Sequence, residues 1–206
     1  MSRNIRAVLS GAILLVACAA CTDDGSSTSA ATPEQFSSLE TLAAVSESDD
    51  ILADLPSAGS AAPARVVGEV RKGQERILAY VQGNKCGLVG ASTTGPKKVY
   101  LHLVSGWPKD GEDSARPYSG GPYSIATGAG TGTTPSWASL SCSHSAMVIS
   151  YQSEEVRPAG KPIGQAAFRE KHGHPAELII VIGSDRARAK ILPEVAPSGA
   201  TPVQAQ

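Results

Sequence analysis

Apolar and polar residues alternate with a period of two along much of the chain after residue 75. The longest such segment is 137–151, where serines occupy every second position at first and both faces become apolar towards the end. Residues 97–104 alternate in the same way, and 76–81 and 177–182 are short apolar runs. Successive side chains of a strand point to opposite faces of a sheet. These segments therefore predict β-strands with at least one buried face.

Other local signals predict a turn, a helix and a last strand. Gly83-Asn84 is typical of a tight hairpin turn, with 86–90 as the returning strand. Pro162–Lys171 is predicted to be the one strong helix after residue 65, because a proline stands at its first position and a glycine lies just beyond its end. Residues 187–192 predict a short final strand.

Composition divides the chain into four regions. The predicted organisation is a signal peptide over 1–17, a disordered tether with one or two short helices over 18–64, a globular domain over 65–192 and a disordered tail over 193–206. Several strands and one late helix predict an α+β fold, in which that helix packs on a mainly antiparallel sheet. The alternative is a small β-sandwich or barrel.

The leader has the features of an export signal. Arg3 and Arg6 precede an apolar stretch over 7–17. About eleven residues at ~1.5 Å each give a helix of roughly 16 Å, well short of the ~30 Å hydrocarbon core of a bilayer. The stretch therefore predicts a cleaved signal rather than a transmembrane span.

Leu15-Val16-Ala17-Cys18 resembles the lipobox that ends the signal peptides of bacterial lipoproteins. The resemblance covers the leader alone. It implies that a diacylglycerol is attached to the thiol of Cys18 and that the signal is then cut before this residue. Cys21 is the alternative, since Ala19 and Ala20 fit the positions before it and a polar run follows. Two or more acyl chains give stable attachment, whereas one gives only marginal binding.

The resemblance implies a lipid-anchored location on the extracytoplasmic side of the cell membrane, with membrane lipid as the partner. The alternative is ordinary signal cleavage near Ala19 or Ala20, which would release a secreted protein. A net charge of −1 and a pI near 6.4 offer no electrostatic footprint for nucleic acid. No cofactor is predicted, and the sequence does not identify a protein or small-molecule ligand.

Cys86 and Cys142 are predicted to form a disulfide. An exported chain folds under oxidising conditions in which disulfides persist. The period of 137–151 also places Cys142 on the apolar face, as a bridge between two strands requires. The competing interpretation is a reactive thiol or a metal ligand.

Two further groups of residues are candidate sites. His172-Gly173-His174 is the nearest approach to a metal motif, but zinc needs three or four convergent ligands and no metal site is predicted. Trp107 and Trp137 flank the Gly- and Pro-rich loop 105–134 and would form an aromatic platform for a sugar or peptide if both are exposed.

These observations favour a binding or structural role over catalysis. The alternative is an envelope hydrolase whose site lies in the loop 105–134, near His102 or His144. Such an enzyme needs a histidine hydrogen-bonded to a nucleophile or a carboxylate inside a cleft.

Overall fold

The computed structural model describes residues 36–45, 51–52, 62–94, 99–108, 118–131, 136–154, 160–171 and 175–196. The predicted leader and both candidate lipidation sites lie outside these residues. Within them the chain forms ten strands, a 3₁₀ turn (Leu39–Thr41) and one long α-helix, α1 (Asp185–Val195). The strands are β1 (Arg65–Lys72), β2 (Glu75–Gln82), β3 (Lys85–Ser92), β4 (Val99–Gly106), β5 (Ser124–Ala129), β6 (Ser136–Cys142), β7 (Ala146–Ser153), β8 (Lys161–Gly164), β9 (Ala166–Lys171) and β10 (Ala176–Gly183).

The strands form two five-stranded sheets. Sheet A has the order β4-β3-β2-β1-β8 and sheet B the order β5-β6-β7-β10-β9. Every pairing is antiparallel. The predicted hairpin of β2 and β3 is confirmed, because Gly83 adopts a positive φ of 57° in the two-residue turn between them.

The main core lies between the two sheets. Strand alternation directs one apolar face of each sheet inward, so that Leu88 and Leu103 of sheet A share a cluster with Leu140 and Ile180 of sheet B. The predicted disulfide is also present: Cys86 of β3 and Cys142 of β6 are bonded, with a Cα–Cα distance of 6.5 Å. The bridge therefore links one sheet to the other.

Each sheet also has a covered outer face. Val45, Ile51 and Leu52 lie over sheet A, and Val45 donates its backbone N–H to the carbonyl of Val66 at 2.8 Å. Helix α1 covers part of sheet B and places Ala187 and Ile191 against Val148. Leu39 is fully buried in the main core, so the packed structure extends beyond the predicted domain 65–192 at its N-terminal side.

The helix predicted over Pro162–Lys171 is wrong. The segment forms β8 and β9, which pair with β1 and β10 and so occupy the edges of the two sheets. Gly164 has a φ of +67°, which a helix excludes, and the backbone N–H of Gln165 bonds to the carbonyl of Val67 as the chain passes between sheets. Hydrogen-bonded pairing of β8 and β9 at the sheet edges therefore outweighs the local sequence features that favour a helix.

The strand predicted over 187–192 is a helix instead. Ser184 caps α1 through a hydrogen bond from the backbone N–H of Ala187 to its side chain, and Asp185 stands in the first turn. Ala187 and Ile191 are four residues apart and both are buried, as one helix face requires. The helix runs through Pro193, the first residue of the predicted tail, to Val195.

The segment 137–151 is a hairpin rather than one strand. β6 ends at Cys142, and the side chain of Ser143 accepts hydrogen bonds from the backbone N–H groups of Ser145 and Ala146 in the turn. In β4, the register slips by one residue at Tyr100, which is a β-bulge. Alternation predicts Tyr100 on the face opposite Leu101, but at the bulge Tyr100 packs against the core as Leu101 does.

The observed class is mainly antiparallel with one packed α-helix, as predicted, although the helix is not the predicted one. The two-sheet arrangement fits the sandwich alternative and is not a closed barrel. No helix within the described part of the chain is long and apolar enough to cross a membrane.

Candidate functional site

A groove of about 220 Å³ lies on the outer face of sheet B, beside the C-terminal end of α1. Its floor is formed by side chains that point away from the core in β6, β7, β9 and β10. Tyr118 and Val195 form two of its walls. The remaining lining residues are Ser139, Ser141, Val148, Ser150, Lys171, Glu177 and Ile179. We refer to these nine residues as the serine groove.

Strand register explains why the polar residues of the serine groove converge. Ser139 is directly opposite Ser150, which is opposite Ile179 on the next strand. Glu177 is directly opposite Lys171. Neighbouring strands are about 4.8 Å apart, so these side chains form adjacent rows across the sheet.

A carboxylate occupies the centre of the polar contacts in the groove. Glu177 accepts a hydrogen bond from the hydroxyl of Ser150 at 2.7 Å on Oε1 and one from Nζ of Lys171 at 3.1 Å on Oε2. The Lys171 side chain is 43% exposed and that of Glu177 is 24% exposed, so both groups can meet a solute. The groove thus offers hydroxyl, carboxylate and ammonium groups without an excess of either charge.

Hydrogen bonds hold the walls of the groove in place. Glu194 of α1 accepts from both the backbone N–H and the hydroxyl of Ser119, at 2.8 and 2.6 Å. The guanidinium of Arg169 in β9 donates to the carbonyl of Ala196 at 2.6 Å. Tyr118 packs edge-on against Tyr123, with ring centroids 5.6 Å apart. The loop and the helix end that form the walls are therefore fixed to each other and to the sheet.

The structure separates the two tryptophans predicted to form a platform. Trp107 packs against the main core, with its ring 4.6 Å from that of His144 beyond the end of β6. Trp137 stands near the beginning of β6, roughly 17 Å from Cys142 along the strand. It is 40% exposed, on the same sheet face as the serine groove and two residues from Ser139. Only Trp137 therefore adjoins the groove.

His102 lies on the outer face of sheet A, whereas the serine groove lies on the outer face of the other sheet, sheet B. Its Nε2 is 2.7 Å from the hydroxyl of Tyr80, and burial lowers the pKa of the histidine below its ordinary value. Burial also raises the pKa of Tyr80 to about 12, so its phenol stays protonated near neutral pH. The pair has the features of a packed polar contact rather than a catalytic base with its nucleophile.

His144 is in the turn between β6 and β7. Its side chain is exposed and contacts the ring of Trp107, and its carbonyl accepts the backbone N–H of Leu39 at 2.8 Å. Residues 109–117 and 132–135 of the predicted loop site lie outside the described residues. In the part of the loop that the structure describes, 124–129 is the strand β5.

A second polar cluster lies between the sheets. The hydroxyls of Tyr100 and Tyr151 are 3.1 Å apart, and that of Tyr151 donates to the buried carboxylate of Glu75 at 3.3 Å. Burial, followed by the neighbouring Tyr151 and Glu75, raises the pKa of Tyr100. Burial likewise raises the pKa of Tyr151 to about 12. These phenols stay protonated near neutral pH and can donate within the core.

The described residues contain no group of three or more His, Cys, Asp or Glu that could hold a metal ion. His172 and His174 lie outside the described residues, so the weak candidates from the sequence stay untested.

Sequence reasoning missed the serine groove as a site. The serines between apolar positions in β6 did signal a polar face, but Tyr118, Lys171 and Val195 reach that face only through tertiary structure. Comparison of the chain with protein-family models, curated proteins and solved structures gave no match. The function is therefore argued from the geometry of the groove.

Proposed function

We propose that the chain is a membrane-anchored extracytoplasmic lipoprotein that binds a ligand in the serine groove. The lipobox-like Leu15-Val16-Ala17-Cys18 supports the anchor and its location. The groove supports the binding role, and this observation carries the proposal. Its polar groups converge on one concave surface with fixed walls, and converging polar groups of this kind fix the orientation of a bound ligand.

Binding is favoured over hydrolysis because of the partners that the two candidate histidines have. His102 contacts a phenol of raised pKa and His144 contacts an indole ring. Neither contact provides the activated nucleophile on which a hydrolase depends.

The binding role is tested by blocking the groove. A ligand that binds only the folded state raises the unfolding temperature. We expect the full chain to give thermal shifts with some members of a small-molecule library, and Ser139→Phe to abolish them by filling the groove. Ala189→Phe is the matched control, since it adds the same ring on the exposed side of α1. Shifts that survive Ser139→Phe would overturn the assignment of the groove.

The anchor is tested by membrane fractionation and intact-mass analysis of the extracted chain. We expect an acylated species beginning at Cys18, and Cys18→Ser to move the protein to the soluble fraction while Cys21→Ser does not. The reverse pattern would assign lipidation to Cys21. An acyl-free soluble product from the unmodified sequence would overturn the anchor and leave a secreted protein.

A further inference from the structure

The ligand class of the serine groove follows from its charge and its hydrogen-bonding groups. The residues that line it carry one positive charge, on Lys171, and one negative charge, on Glu177, and these two groups are paired. For a charged ligand, the side chain of opposite charge is already paired, and the side chain of like charge repels it. The balance favours an uncharged ligand.

The polar groups match a ligand that both donates and accepts. A serine hydroxyl has one donor and two acceptor lone pairs, an ionised carboxylate has about four lone-pair positions, and an ammonium has three donors. The hydroxyl of Ser150 donates to Glu177, which leaves its oxygen as an acceptor towards the groove. Alcohol groups satisfy such a mixed set, because each can donate to the carboxylate and accept from the lysine.

An exposed aromatic ring lies beside the groove on the same sheet face. Trp137 is opposite Gln152, which is opposite Glu177 and then Lys171, so these four side chains form one row across four strands. The indole of Trp137 is 40% exposed at the end of this row. A flat apolar surface beside polar groups suits the C–H face of a pyranose ring, whose hydroxyls project around its rim.

From this arrangement we infer that the serine groove binds a neutral saccharide, with one sugar ring on Trp137 and the next contacting Glu177, Lys171 and the serine hydroxyls. This inference rests on the proposed function, since it names the ligand of the same groove. Peptide binding by strand addition needs an open strand edge, whereas the groove lies on the face of sheet B.

The inference is tested by calorimetric titration of the full chain, solubilised in a detergent without a sugar headgroup. The neutral probes are maltotriose, cellotriose and chitotriose. Trigalacturonate and trialanine represent acidic saccharides and peptides. We expect at least one neutral trisaccharide to bind, and Trp137→Ala and Glu177→Gln each to raise its Kd about tenfold or more. Ile125→Ala is the control: Ile125 is 63% exposed on the same sheet face but does not line the groove.

Fluorescence provides an independent readout. The chain has two tryptophans, so Trp107→Phe leaves Trp137 as the sole indole emitter. Saccharide binding is expected to shift its emission. Neutral saccharide binding that is unchanged in Trp137→Ala and Glu177→Gln would overturn the inference, as would the absence of binding by all three probes. Binding of trigalacturonate or trialanine alone, lost in Ser139→Phe, would overturn the assignment to neutral saccharides while the groove stands as a ligand site.

Discussion

The hydroxyl of Tyr80 and Nε2 of His102 lie 2.7 Å apart, although β3 separates their strands. The Tyr80 ring crosses β3 above Gly87. A Cβ placed on Gly87 would stand 2.1 Å from Cζ of the ring. The contact between β2 and β4 therefore depends on the absence of a side chain in the strand between them.

Gly87→Ala is expected to destabilise the fold by about 1–3 kcal/mol, because the buried ring must move and leave its partner. Urea unfolding measures the change. Gly106→Ala is the matched control in the adjacent strand, since a Cβ there meets nothing within 4 Å. Equal unfolding midpoints for the two variants would contradict the prediction.

His102 is expected to make stability depend on pH. Burial lowers its pKa below the ordinary 6.5, so the folded state binds this proton more weakly than the unfolded chain does. The free energy of unfolding should therefore fall as pH drops through about 6.5, and level off below the folded pKa. The effect is read from the difference between wild type and His102→Gln over this range, in which the other titrating groups cancel. A flat difference would show that His102 is not the source.

Loss of the disulfide is expected to cost roughly 4 kcal/mol, from the entropy of a loop closed between residues 56 positions apart. Both cysteines are fully buried between the sheets, so the double variant Cys86→Ala/Cys142→Ala also loses packing. Chemical unfolding with and without a reductant tests this. The wild type should lose stability on reduction and the double variant should not respond. If the double variant lost as much stability on reduction as the wild type, the stabilisation could not be assigned to this disulfide.

Glu69 is expected to be far more important for stability than an exposed carboxylate. It is fully buried, and its Oε1 accepts from Nε of both Arg71 and Arg76 at 2.7 Å. Glu69→Gln removes the negative charge paired with two guanidinium groups, of which that of Arg71 is 39% exposed, and should cost about 1.5–3 kcal/mol. Asp185→Asn is the comparison, since that carboxylate is 93% exposed in its pair with Arg188 and should lose only a small part of this. Similar losses in the two variants would be inconsistent with a buried network.

The alternating segments 97–104 and 137–151 and the apolar runs 76–81 and 177–182 correctly predicted strands, because a buried strand face imposes apolar residues at every second position. β1 was not predicted. The β2–β3 turn and the inward position of Cys142 followed from the same local pattern. Pro162–Lys171 failed as a helix because its apolar spacing suited both periods, and pairing with β1 and β10 decided between them. Ser184 and Asp185 are local signals of a helix start, and α1 begins there.

The groove, too, depends partly on local sequence and partly on tertiary structure. The sequence by itself determined the serines that alternate along β6, the inward position of Cys142, and the lipobox-like leader, because each depends on residues close together in the chain. Only the tertiary structure decided that Ser150, Lys171 and Glu177 share one surface, and that Trp137 adjoins it while Trp107 packs elsewhere. Strand order and the course of α1 bring these residues together, and both are set by how the two sheets bury their apolar faces.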